Sequence, residues 1–202
     1  VIKEKRADKM KQIITRYFNA LERCLRDIQV TGPKDHVLEA REGVEQAAML
    51  IETQTSAGHK IIFVGNGASA TISSHQATDY WKNGGMRAIA FNDAALLTCI
   101  SNDFGYRHVF EKPIEMFADK GDVLVAISSS GQSENILRAV EAAKKRGCEV
   151  LTLSGFAADN PLRGKGSLNF YVSSNSYGHV EVVHHAICHC ILDTIIEYYG
   201  KD

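Results

Sequence analysis

The chain has 202 residues, 45% hydrophobic and 23% charged, with 23 Lys and Arg against 24 Asp and Glu for a formal net charge of −1. That balance, without a long Lys/Arg run, gives no basis for nucleic-acid binding, and no apolar run is long enough to span a membrane. The length suits one compact domain; five cysteines without a Cys-x-x-Cys, and no visible secretory signal, point to reduced thiols and a cytoplasmic protein.

Residues 4–29 carry Ile13, Ile14, Tyr17, Phe18, Leu21 and Leu25 at helical spacing, so an amphipathic helix is expected there. Thr31-Gly32-Pro33 breaks it. A second helix is expected from about Lys34 to Ser56, with Gly58 as its cap. Residues 1–57 then form a helical N-terminal part suited to packing and oligomerisation, and 58–202 form the α/β part, the two making one unit.

From Lys60 the pattern changes to short apolar runs alternating with helices. Strands are expected at 61–64, 87–91, 123–128, 149–153 and 168–172. Helices are expected from the turn at 65–71 to Lys82, then at 96–102, 108–118, 132–146 and 178–199, with 102–106 and 154–165 as loops. Continuous apolar strands separated by helices indicate a parallel sheet covered on both faces, a three-layer αβα sandwich. Ligands of such sheets sit at the carboxyl ends of the strands, where strand order switches.

Two small-residue turns occupy those ends. Ser128-Ser129-Ser130-Gly131 follows the strand 123–127, and Ser133 leads into a helix. A helix start offers unpaired N–H groups and a positive dipole end, and the hydroxyls of Ser128, Ser130 and Ser133 add donors: together, a phosphate cradle. The second turn, Gly65-Asn66-Gly67-Ala68-Ser69, matches neither a dinucleotide fingerprint nor a P-loop. One site between the two turns is expected.

A second constellation lies on two helices. His75 and Asp79 stand four apart, and Glu181, His185 and His189 stand at i, i+4 and i+8, so each set shares a helix face. Carboxylate and imidazole together suit proton transfer, and equally a divalent transition metal. His184 and Cys188 lie on another face.

In combination, Gly65-Asn66-Gly67-Ala68-Ser69, Asn102-Asp103-Phe104-Gly105, Ser128-x-Ser130-Gly131-x-Ser133 and a last helix bearing His189 resemble the sugar isomerase (SIS) domain family, within it the phosphoheptose isomerase branch. The resemblance implies a flavodoxin-like fold with five parallel strands and two N-terminal helices, assembled as a homotetramer. It implies an aldose–ketose isomerase converting sedoheptulose 7-phosphate to D-glycero-D-manno-heptose 7-phosphate through an enediol, a step toward the heptose of lipopolysaccharide. The phosphate would be held by Ser69, Ser128, Ser130 and Ser133, with Asn66, Gly67, Asn102, Asp103, Ser129 and Glu181 as further substrate contacts. Asp79 and His189 would be the acid–base pair, and His75, Asp79, Glu181 and His189 a zinc site. No nucleotide or redox cofactor is implied. The chain departs from the family in carrying Asp79 for a glutamate, Glu181 for a glutamine, and Ala68 for the second glycine of its turn. The alternatives are a non-catalytic SIS protein that binds phosphosugars or a protein partner, as in a replication-initiation branch, and an isomerase of another sugar phosphate.

Overall fold

A computed structural model describes residues 2–33 and 36–200. The helix expected from about Lys34 begins only at Ala40, because Val37–Leu38 pairs as a strand with Val30 and Thr31; Lys34 itself, and the extreme ends Val1, Lys201 and Asp202 of the two expected segments, lie outside the described residues.

The elements in chain order are α1 (Ile2–Arg26), β1 (Gln29–Thr31), β2 (Val37–Leu38), α2 (Ala40–Ser56), β3 (Ile61–Gly65), α3 (Ala68–Lys82), β4 (Ala88–Ala90), α4 (Ala94–Phe104), α5 (Glu111–Phe117), β5 (Val123–Ser128), α6 (Glu134–Arg146), β6 (Glu149–Gly155), β7 (Leu168–Val172) and α7 (Tyr177–Tyr199). They form one sheet ordered β2-β1-β7-β6-β5-β3-β4. The five expected strands β3 to β7 are present and mutually parallel. The sheet has seven strands rather than five, because β1 and β2 add an antiparallel edge. Val30 of β1 is fully buried opposite Phe170 of β7, so this short segment covers an edge that would otherwise expose unpaired backbone groups.

β5 is buried at every position, as its unbroken apolar run requires. Helices cover both faces. On one, Ala47, Ala48 and Ile51 of α2, Ile72, Ala77 and Tyr80 of α3, and Val183, Ile187 and Ile191 of α7 share a core with Phe63, Val125 and Leu153. On the other, Ile114 of α5 and Ile136, Ala139 and Val140 of α6 pack on Ile62, Leu124 and Val150. The Tyr80 hydroxyl, inside the first core, donates to the Cys188 carbonyl of α7 at 3.1 Å. That bond ties α3 to α7, the two helices carrying the histidines.

Some boundaries moved for local reasons. Asp93 caps α4 by accepting from the Leu96 N–H at 2.9 Å, and the helix runs on to Phe104, so Asn102 and Asp103 are helical rather than in a loop. The helix expected from His108 begins only at Glu111, after a 3-10 turn over Tyr106–His108. Pro113 lacks the N–H that a helix running through Val109 would need. Among the described residues, no helix is long and apolar enough to cross a membrane.

Strand order reverses between β3 and β5: from β3 the chain goes outward to β4, then returns to β5 on the other side. The carboxyl ends of these neighbours are Gly65 and Ser128, the starts of the two small-residue turns.

Candidate active site

The turn after β5 is built from its own serines. The Ser128 hydroxyl accepts from the Gly131 N–H at 3.2 Å and donates to the Ser133 hydroxyl at 3.4 Å, while the Ser130 hydroxyl accepts from the Gln132 N–H at 3.3 Å. Gly131 has φ +63°, and a Cβ there would lie 1.9 Å from the Asn160 Oδ1, so only glycine fits. Asn160 is itself buried, donating to the Ser154 hydroxyl and to the Gly155 and Ala157 carbonyls. The tight turn sets the N-terminus of α6 against the strand ends, bringing its positive dipole end to the site.

Across the strand-order switch, Gly65 makes a comparable close approach. A Cβ there would meet the Ser69 backbone at 2.5 Å, which lets α3 start hard against β3. The Asn66 and Asn135 side chains pair reciprocally, and the Tyr106 hydroxyl donates to the Asn66 Oδ1 at 2.8 Å. The Asn66 oxygen is thereby occupied, while one of its two amide N–H groups is left for a ligand.

Between the turns lies a pocket of about 220 Å³, lined by Asn66, Gly67 and Ser69 from one side, Ser128, Ser129, Ser130 and Ser133 from the other, and Tyr177 and Glu181 from α7. No Lys or Arg is among its lining residues. An anion here would be met by hydroxyls, backbone N–H groups and helix dipoles. Eight of the expected site residues thus converge. Asn102 and Asp103 do not line this pocket; they are exposed on the last turn of α4, where the Asn102 amide donates to the Asp103 carboxylate at 2.9 Å. The segment touches a lining residue through Tyr106 instead, whose hydroxyl bonds Asn66 and which sequence spacing gave no reason to choose. Tyr177 was equally invisible; its ring packs edge-on against Phe156, 4.7 Å between centroids.

The histidines come together beside this pocket's α7 wall. His75 on α3 lies 3.1 Å, Nε2 to Oδ2, from Asp79. Ring centroids are 5.1 Å apart for His75 and His185, 5.5 Å for His75 and His189, and 4.6 Å for His185 and His189. One ring nitrogen from each of these three lies within 4.8 Å of the other two. His185 is held below the ordinary histidine range by burial first, then by the charges of His189 and His75, with Asp79 opposing. Its Nε2 is shielded from solvent and without a hydrogen-bond partner. Three converging imidazoles, one with a buried unpaired nitrogen, are a donor set that fits a divalent transition metal. His185 stood on the shared face in the i, i+4 spacing, but its membership in the cluster became visible only once α3 was placed against α7. His184 points elsewhere: fully buried, its Nε2 lies 3.1 Å from the Ser154 carbonyl.

A family model described as SIS domain matches residues 16–155 of the chain. A phosphoheptose isomerase of Proteus mirabilis is 34% identical over 160 residues, covering 76% of this chain and 83% of that protein. One from Sodalis glossinidius is 41% identical over 143 residues, 68% of this chain and 72% of that protein. The solved structure of a phosphoheptose isomerase from Neisseria gonorrhoeae superposes with a TM-score of 0.79 at 29% identity, covering 92% of this chain and 99% of that one.

Proposed function

Because the chain belongs to the SIS domain family, in its phosphoheptose isomerase branch, we propose that it interconverts sedoheptulose 7-phosphate and D-glycero-D-manno-heptose 7-phosphate. The observation that carries this reading is the position of Glu181. It lines the serine pocket, and it stands one helical turn, about 6 Å at 1.5 Å per residue, before His185 on the same face of α7. A phosphosugar anchored by its phosphate at Ser128, Ser130, Ser133 and Ser69 would extend along that face toward His75, Asp79 and His189.

Isomerisation needs one proton moved between adjacent carbons. A base takes the proton from C-1 of the ketose, the carbonyl oxygen at C-2 is protonated to give the enediol, and C-2 then receives a proton as the C-1 oxygen becomes the aldehyde. Asp79 and His189 are the groups we assign to these transfers; the 3.1 Å contact between Asp79 and His75 fixes the carboxylate's place. When bound among His75, Asp79, Glu181 and His189, a zinc ion would polarise the carbonyl oxygen. Asn66, anchored by Asn135 and Tyr106, orients hydroxyls with its remaining N–H.

The reading extends to assembly and setting. α1 exposes Met10, Ile13, Ile14, Phe18 and Leu25, and we assign this apolar surface to contacts within a homotetramer. The five cysteines are free thiols, in keeping with a cytoplasmic step that supplies heptose for lipopolysaccharide or a related glycan.

A coupled assay should detect aldose formation from sedoheptulose 7-phosphate. Absence of turnover both with added zinc and with a chelator, while the phosphosugar still binds, would assign the chain to another substrate or to a binding role.

A further inference from the structure

We infer that His185 is a metal ligand in this chain, giving with His75 and His189 a three-imidazole site, and that Glu181 stays outside the coordination sphere. The inference refines the proposed isomerase site by changing which side chains carry the ion.

Three observations converge on His185. Among the described residues, the group whose ligand atoms lie within 4.8 Å of one another is His75, His185 and His189; neither carboxylate belongs to it. Tetrahedral coordination at ~2.0–2.1 Å needs nitrogens roughly 3.4 Å apart, so closure takes side-chain rotation on the order of 1 Å. His75, half exposed, has room to make it. The His185 Nε2 is shielded and unpaired, whereas a buried imidazole nitrogen without function normally finds a donor or acceptor. Last, Asp79 already engages the Nε2 of His75. This is where an outer carboxylate sits when it orients a ligating histidine whose other nitrogen faces the ion.

The exchange alters the site's chemistry. Three neutral imidazoles leave the full +2 charge on the ion, where carboxylate ligands would partly cancel it. A nitrogen-only set favours zinc, cobalt and nickel over magnesium and manganese. Glu181, released from ligation but still lining the serine pocket, is left as a hydrogen-bond acceptor for the sugar.

The test is metal binding by the full chain, read without turnover. Zinc affinity is measured by competition with a chromophoric chelator, and the cobalt form by its visible absorption, for wild type, His185→Ala, His185→Gln and Glu181→Gln. Circular dichroism confirms that each variant is folded. The expected result is one equivalent of zinc in wild type and tetrahedral cobalt bands. Both His185 variants should lose more than the ~10–100-fold that an outer partner costs, and Glu181→Gln should bind within a few-fold of wild type. Wild type that takes up neither ion, His185 variants that bind as wild type does, or a Glu181→Gln loss matching theirs would overturn the inference. Turnover of sedoheptulose 7-phosphate is scored separately. Zinc binding that depends on His185 in a protein without turnover would refute the substrate and leave this ligand set standing. Turnover with binding indifferent to His185 would do the reverse.

Discussion

Asn66 and Asn135, sixty-nine residues apart, hold each other by two amide hydrogen bonds of 2.9 Å across the switch between β3 and β5. The pair locks the glycine-rich turn to the first turn of α6, and so fixes the width of the pocket between them. Asn135 is 4% exposed and also accepts from the Ile136 N–H.

Asn135→Ala should therefore loosen the site and the fold together. Leaving buried polar partners unsatisfied costs about 1–3 kcal/mol, read as a lowered urea midpoint, with a raised KM for the phosphosugar. Tyr106→Phe removes only the 2.8 Å bond to Asn66 from an exposed side chain. It should raise KM while leaving the urea midpoint in place. Unchanged KM in both variants would mean that Asn66 does not touch substrate.

The serine turn proposed as a phosphate cradle should separate into a part that binds and a part that shapes. Ser130→Ala should weaken phosphosugar affinity and leave stability intact, since its hydroxyl accepts only one long local bond. Gly131→Ala should damage both. It places a Cβ against Asn160 and forces a non-glycine residue to φ +63°, at about 1–3 kcal/mol for the backbone alone. Affinity for sedoheptulose 7-phosphate by calorimetry and stability by urea melt decide the matter. Wild-type affinity in Ser130→Ala would remove the serine from the cradle.

The residues of the site differ in how far local sequence reveals them. The strands β3 to β7 could be read because buried parallel strands are continuous apolar runs, and the serine turn because its donors are adjacent in sequence. β1 could not: Gln29-Val30-Thr31 is too short to show a period and is a strand only because β7 offers an open edge. Asn66 and Ser128 are expected to meet from strand-end logic, and Glu181 joins them only through the family resemblance; all three line one pocket. Tyr177 lines it, and Tyr106 bonds Asn66 behind it, through turn and helix placement that no local spacing encodes. For the histidines, periodicity specified the faces, but how α3 lies on α7 selected His185, and a packing angle is written across the whole core.

His189→Ala should lower kcat by roughly 10²–10⁴, the range for a lost acid–base group, with a much smaller effect on KM. Because His189 is also a proposed ligand, steady-state kinetics on protein whose bound metal is brought to the wild-type level make the comparison. Equal losses in binding and turnover would assign His189 a structural role.

Burial pushes His184 down to about 4 from an ordinary 6.5, against the Ser154 carbonyl contact, which favours the charged form. Between those values the unfolded chain takes up a proton that the folded chain refuses, so stability is full above pH 6.5 and falls as pH drops. At ~1.4 kcal/mol per pH unit the loss approaches roughly 3 kcal/mol by pH 4. Urea melts from pH 7.5 to 4.5 with a chelator present should show this slope, and His184→Gln should flatten it. An identical slope in the variant would place the titration elsewhere.

In the proposed reaction a proton is taken from one sugar carbon and returned from solvent-exchangeable acid to its neighbour. Following sedoheptulose 7-phosphate with the protein in D2O by NMR tests this. Deuterium is expected at C-2 of the aldose formed and at C-1 of the ketose recovered, with both signals lost in His189→Ala. An aldose formed with no deuterium at C-2, or a ketose left unlabelled and unconverted beside a properly folded protein, would contradict it.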